Sequence, residues 1–274
     1  MNFLPVLRYP AVVPYRIDIA SPPDDALEQL VQLGALDIEP TNEGLAAIIP
    51  DGVSLDSVVG ALGAASVAVS PAVGRDDGSV WLLNMRAVRI GSFLIAPPEV
   101  PAAPGVLRLT DSPAFGTGHH PTTALCVQAI EESLAFGIPE SILDVGTGSG
   151  VLALIALMKG VPRAVGLDID ADALNTAAEH ARMNNMKSRL HLVLGGPDAV
   201  DGAWPLVVAN MLAAPLMELA PVLVRRVGSR GRLILSGIPW SLELEVRQTY
   251  EWLGMRHVRS EKSGGWTVVV VQRP

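Results

Sequence analysis

Residues 143–150 read Leu143-Asp144-Val145-Gly146-Thr147-Gly148-Ser149-Gly150, an apolar run that breaks into three glycines spaced two apart. An apolar run before glycines is a strand entering a tight turn, and glycine lets the backbone turn sharply and approach a ligand closely. A following helix start exposes N–H groups to polar or anionic ligand groups. The spacing is G-x-G-x-G with Val151 next, so the dinucleotide fingerprint G-x-G-x-x-G is not matched, and no G-x-x-x-x-G-K-[ST] phosphate loop is present. Working outward, helix and strand alternate. Helix 122–135 precedes strand 141–146. Then come helix 149–159, strand 164–170, helix 171–184, strands 190–195 and 205–210, helix 214–227, strand 231–238 and helix 241–253. The chain closes on two strands around Gly264-Gly265. Near-continuous apolar strands alternating with helices predict an α/β fold with a parallel sheet covered on both faces. The terminal hairpin would put one antiparallel strand into it.

Asp168 ends the next strand, 22 residues after Gly146. A carboxylate at that tip can accept hydrogen bonds from both hydroxyls of a ribose. Asp170 and Asp172 are read instead as favouring the start of helix 171–184 through its dipole. A negative Asp144 beside the glycine loop suits an ammonium group and repels a pyrophosphate. A ligand with an amino-acid head and a ribose, such as S-adenosylmethionine, fits that pair. The competing reading of the loop is a strand–helix turn that simply needs small residues.

Upstream, Phe115-Gly116-Thr117-Gly118-His119-His120-Pro121-Thr122-Thr123 leads into helix 122–135, with Thr122 and Thr123 as expected caps. His119 and His120 have no third ligand nearby, so no metal site is expected. An imidazole there could also act as a general base. Asn210 ends the apolar strand Pro205–Asn210, where open α/β sheets hold ligands. It can serve as a hydrogen-bond acceptor for a substrate amine or as a cap for helix 214–227.

Residues 1–73 form a separate module, with strand 12–20, helix 23–33, strand 44–50, helix 54–63 capped by Ser54, and strand 65–70. They suggest the strand–helix–strand–strand–helix–strand order of a ferredoxin-like α+β domain. Residues 74–86 read as a turn-rich linker to a domain at 87–274, with extended pieces at 87–96 and 106–110. The 274-residue chain has net charge −8, and all of it lies in residues 1–80, which carry 3 Lys/Arg against 11 Asp/Glu. Residues 81–274 carry 17 of each. An acidic module joined to a neutral one suggests docking of something basic, or a surface kept for solubility. The acidity argues against non-specific nucleic-acid binding. The single cysteine, Cys126, excludes an internal disulfide framework and fits a reducing cytosol. The opening residues 1–15 hold three prolines and no basic stretch, unlike a signal peptide. The apolar stretches 58–74 and 205–224 are broken by Pro71, Asn210, Pro215, Glu218 and Pro221, so no membrane span and a cytoplasmic location are expected.

FGTGHHPTT, LDVGTGSG, VGLDID and VVANMLAAPL, in that order, resemble the PrmA-type ribosomal-protein methyltransferases over roughly residues 87–274. The resemblance implies a Rossmann-like, seven-stranded class I methyltransferase sheet behind a ferredoxin-like substrate-recognition domain. It implies S-adenosylmethionine as methyl donor and, as substrate, amino groups of the L-eleven protein of the large ribosomal subunit. It places the donor on Thr123, Gly146, Asp168 and Asn210, and the loop Phe115-Gly116-Thr117-Gly118 beside the donor methyl. Asp144, Thr147, Gly148 and Ile169 complete the expected donor site, and Asn210 is the expected catalytic residue. The readings that compete are a methyltransferase for another basic protein or small amine, a donor-binding module without activity, and a nicotinamide oxidoreductase, which Val151 disfavours.

Overall fold

The computed structural model describes residues 13–63, 66–76, 78, 80–112 and 114–274. Residues 1–12, most of the segment read as lacking a signal peptide, and the first residues of strands 12–20 and 65–70 lie outside the described residues. The chain divides into two compact units, Met1–Asn84 and Met85–Pro274.

The first unit contains β1 (Tyr15–Ala20), α1 (Ala26–Gln32), β2 (Asp37–Thr41), β3 (Gly44–Ile49), α2 (Leu55–Leu62) and β4 (Ser66–Pro71). The sheet order is β2-β3-β1-β4, and every pairing is antiparallel. Both helices bury an apolar stripe, Ala26 and Leu30 or Val58 and Leu62, with Ile17, Ile19, Ala47 and Ile49 of the sheet. Ser54 caps α2 through the Ser57 N–H. The strand at Asp37–Thr41 carries no strand pattern in the sequence. Its Pro40 removes a ladder donor, which only an edge strand tolerates, and β2 is at the edge. Within 74–86, β5 (Gly74–Arg75) and β6 (Val80–Trp81) form a hairpin. The Leu83 N–H donates to Asp37 at 2.8 Å, tying the following residues to β2. That stretch therefore belongs with the first unit as far as Asn84.

In the second unit, residues 87–96 are not one extended piece. Gly91, with φ +54°, turns β7 (Val88–Ile90) into β8 (Phe93–Ala96), and β9 (Val106–Arg108) completes a small sheet. Then follow α3 (Pro121–Ala135), β10 (Ser141–Val145), α4 (Val151–Met158), β11 (Arg163–Asp168), α5 (Ala171–Met183), β12 (Leu190–Leu194), β13 (Trp204–Asn210), α6 (Ala213–Glu218), α7 (Ala220–Arg226), β14 (Val227–Pro239), α8 (Glu243–Trp252), β15 (Arg256–Ser263) and β16 (Trp266–Gln272). The strand order is β12-β11-β10-β13-β14-β16-β15, and β16 runs against both of its neighbours. Successive strand residues alternate faces. Ile142, Val208 and Ile234 pack with α3, α4 and the end of α5, whereas Leu143, Val207 and Leu233 pack with α6, α7 and α8. Both faces are covered, which is why these strands read as unbroken apolar runs.

Two local expectations are corrected. Helix 214–227 is two helices that meet at Leu219, because Pro221 cannot donate to a carbonyl one turn back and takes an early position in α7 instead. The cap of α3 is not a threonine. The His120 imidazole accepts the Thr122 N–H, with Pro121 as the first helical residue. Among the described residues no helix is long and apolar enough to cross a membrane.

His180, fully buried on α5, carries much of the junction around β10. Its Nδ1 donates to the Ser149 carbonyl at 2.8 Å, and its Nε2 accepts the Thr110 N–H at 3.0 Å. Burial holds its pKa below the ordinary histidine value. The unfolded chain therefore takes up the proton first as pH falls. His180→Leu should cost about 2 kcal/mol near pH 8, and the gap to the wild type should narrow below about pH 6.5, as measured by urea denaturation.

Candidate active site

The sheet starts at β10 and winds outward in both directions, through β11 and β12 on one side and β13 and β14 on the other. The crevice between β10 and β13 is therefore a topological switch point, where open α/β sheets bind ligands beyond the carboxyl ends of their strands. Register places Val145 beside Leu167 and Ala209, so Gly146, Asp168 and Asn210 lie side by side at that edge.

The glycine loop is held from several directions. Gly146, Gly148 and Gly150 have φ of +70°, +52° and +79°, a region that penalises any side chain. A Cβ on Gly148 would lie 2.6 Å from the Phe115 carbonyl oxygen, whereas the nearest neighbour of one on Gly146 is the Met211 Cε at 3.3 Å. The Thr147 N–H donates to Leu167 at 2.8 Å, and its hydroxyl donates to Asp144 Oδ2 at 2.8 Å. Asp168 Oδ2 accepts the Gly148 N–H at 2.9 Å and Oδ1 accepts the Asp170 N–H at 3.0 Å, which leaves each oxygen further acceptor capacity. Asp170 in turn caps α5 by accepting the Asp172 N–H.

Ser149 draws the upstream loop onto this turn. Its N–H donates to the Phe115 carbonyl and its hydroxyl to the Gly116 carbonyl, both at 2.9 Å. The segment Phe115–Gly118, distant in sequence, is thereby fixed against the glycine loop. Thr117 accepts the His119 N–H at 3.3 Å, and the His119 Nε2 donates to the Arg86 carbonyl at 3.0 Å. The His120 ring lies between Phe115 and Trp266, edge-on to both. Ser149 and His180 were not singled out from sequence. The one available signal for His180 was its place in line with Ala173, Ala177 and Ala181 on the buried side of α5.

Asn210 does not cap a helix. The residue preceding α6 is Leu212, with no side-chain cap, and Asn210 Nδ2 donates instead to the Thr122 hydroxyl at 3.2 Å. Ile169, by contrast, points its side chain into solvent and is 83% exposed. Among the described residues no three His, Cys, Asp or Glu side chains gather as a metal site.

Among the described residues, three buried oxygens here have no hydrogen-bond partner: Thr123 Oγ1, Asp144 Oδ1 and Asn210 Oδ1. Each such atom costs about 1–3 kcal/mol unless a ligand supplies a donor. Acceptors of this kind suit ammonium, amine and hydroxyl groups and give no welcome to a pyrophosphate. Burial pushes the Asp144 carboxyl up to about 6, and the nearby Asp168 carboxylate adds to this, against the opposing bonds from Thr147 and Ala153. The native protein therefore holds a proton that the unfolded chain releases near pH 3.8, and stability present below that pH is lost as pH rises through about 6. Asp144→Asn should stabilise the ligand-free protein by up to about 3 kcal/mol above pH 6, with the gain vanishing toward pH 4, as urea denaturation across that range would show.

The family model of ribosomal protein L11 methyltransferase (PrmA) matches residues 55–274. A ribosomal protein L11 methyltransferase from Pelobacter propionicus is 35% identical over 214 residues, covering 75% of this chain and 69% of that protein. One from Serratia proteamaculans is 41% identical over 181 residues, covering 65% of this chain and 61% of that protein. Among solved structures, a ribosomal protein L11 methylase from Lactobacillus delbrueckii subsp. bulgaricus is 28% identical with a TM-score of 0.64, covering 69% of this chain and 98% of that one.

Proposed function

The chain belongs to the ribosomal protein L11 methyltransferase (PrmA) family, and from that premise we infer that it is an S-adenosylmethionine-dependent methyltransferase acting on amino groups of ribosomal protein L11. The observation that carries the reading at the site is the alignment of Gly146, Asp168 and Asn210 at the switch point, beside three unpartnered acceptors. We read the second unit as a Rossmann-like, seven-stranded class I methyltransferase domain, and the four-stranded first unit as ferredoxin-like.

When bound, S-adenosylmethionine supplies a methyl group on a sulfonium centre, open to in-line displacement by a neutral amine. The residues present fit it. Asp168, with acceptor capacity left on both oxygens, would take the ribose hydroxyls. Asp144 and Thr123 would face its polar groups, and Gly146 with Thr147 and Gly148 would let its chain lie close to the backbone. Ile169 would cover it from the solvent side. Phe115, Gly116 and Thr117, pinned by Ser149, would close over the reacting end.

The chemistry left to the protein is positioning and desolvation. A free lysine amine has a pKa near 10.4 and attacks only when neutral, so the crevice must favour the uncharged form. Asn210 Oδ1 can accept an N–H of such an amine and leave its lone pair free to attack. We assign substrate docking to the acidic first unit, because a basic ribosomal protein is steered by opposite charge. A ribosomal target fits a cytoplasmic enzyme and requires no direct nucleic-acid contact.

Two outcomes test this. Asn210→Ala should lower turnover on L11 at saturating S-adenosylmethionine by about a hundredfold; full turnover would remove Asn210 from the chemistry. The Michaelis constant for L11 should rise steeply between about 50 and 300 mM salt, where surface charges are screened, and a flat profile would leave the acidity of residues 1–80 without a docking role.

A further inference from the structure

We propose that Thr122 is a positioning residue for methyl transfer: with His120 it holds the Asn210 amide in the one orientation that leaves an oxygen, and not an NH2, for the substrate amine. The proposal rests on the reading of Asn210 given above.

The argument begins at the cap of α3. His120 Nδ1 accepts the Thr122 N–H at 3.3 Å, so that nitrogen carries a lone pair and no proton. The Thr122 hydroxyl lies 2.7 Å from the same nitrogen. Its single hydrogen therefore goes to His120, and only lone pairs remain on Oγ1. Asn210 meets Oγ1 at 3.2 Å, and the only end of an amide that suits a lone pair is Nδ2. A reversed amide would set oxygen against oxygen. Thr122 is fully buried, so no solvent stands by to relieve that clash. Asn210 Oδ1 is thereby left without a partner, and it is one of the orphaned oxygens described above.

The orientation has a chemical consequence. An amide oxygen accepts an N–H from a neutral amine and leaves the amine lone pair available. An amide NH2 in the same place would donate to that lone pair and occupy the electrons that must form the new C–N bond. The two orientations of one side chain are thus productive and inhibitory, and the Thr122 hydroxyl separates them.

Valine matches threonine in shape but lacks the hydroxyl, so Thr122→Val, Thr122→Ser and wild type form the test. In Thr122→Val, kcat on L11 should fall by about tenfold to a hundredfold, with S-adenosylhomocysteine affinity unchanged and Thr122→Ser near wild type. A second readout needs no turnover. In the ligand-free protein, the Asn210 side-chain NH2 signals, assigned by their loss in Asn210→Asp, should be protected from water exchange in wild type and Thr122→Ser and exposed in Thr122→Val. If Thr122→Val does not fold, Thr122→Ala takes its place in both measurements. Unchanged kcat or unchanged NH2 protection on loss of the hydroxyl overturns the proposal. A wild type inactive on L11 overturns the functional reading instead, and the exchange measurement still decides the role of Thr122.

Discussion

The hydrogen bond from the Gly148 N–H to the Asp168 carboxylate is the constraint around which the carboxyl edge is built. It joins the turn after β10 to the tip of β11 and fixes the glycines that leave room above Gly146. Ser149, next in the chain, then holds Phe115 and Gly116, and His180 holds Ser149 from below. A single short turn thus sets the position of the neighbouring strand tip, the upstream loop and α5. Loss of this registry would separate the Asp168 carboxylate from the Phe115–Gly118 loop, because each is anchored to the turn.

The arrangement is costly in the absence of ligand. The unpartnered oxygens of Thr123, Asp144 and Asn210 and the burial of the Asp144 carboxylate all weigh against the folded state. The offset comes from the sheet, whose two faces bury separate apolar layers against two sets of helices. A site that carries unsatisfied acceptors on a rigid, doubly covered sheet is preorganised for a ligand bearing donors.

What could be read from sequence follows from what is local. Strands buried on both faces show as apolar runs, and Gly146, Gly148 and Gly150 announce a turn, so the α/β alternation and the strand tips at Asp168 and Asn210 were legible. Asp37–Thr41 was not, because two acids and Pro40 conceal an edge strand. The break at Leu219 was written in Pro221 but masked by apolar residues on either side. Long-range bonds leave no local pattern: Ser149 reaches back 33 residues to Gly116, and His180 reaches 70 to Thr110. The cap of α3 was missed because histidine is not among the usual capping residues, and that cap is what ties Thr122 to Asn210.

The family match begins at residue 55 and so leaves most of the acidic first unit outside it, while the neutral second unit lies wholly within it. In the function proposed here, chemistry and target choice rest on different parts of the chain, the first on strand tips and the second on surface charge. The measurement that tests the whole account most directly is mass spectrometry of unmethylated ribosomal protein L11 after incubation with this protein and S-adenosylmethionine. The account predicts added methyl groups that map to amino groups of L11. L11 recovered unmodified, or methylated only on oxygen or carbon, would contradict it.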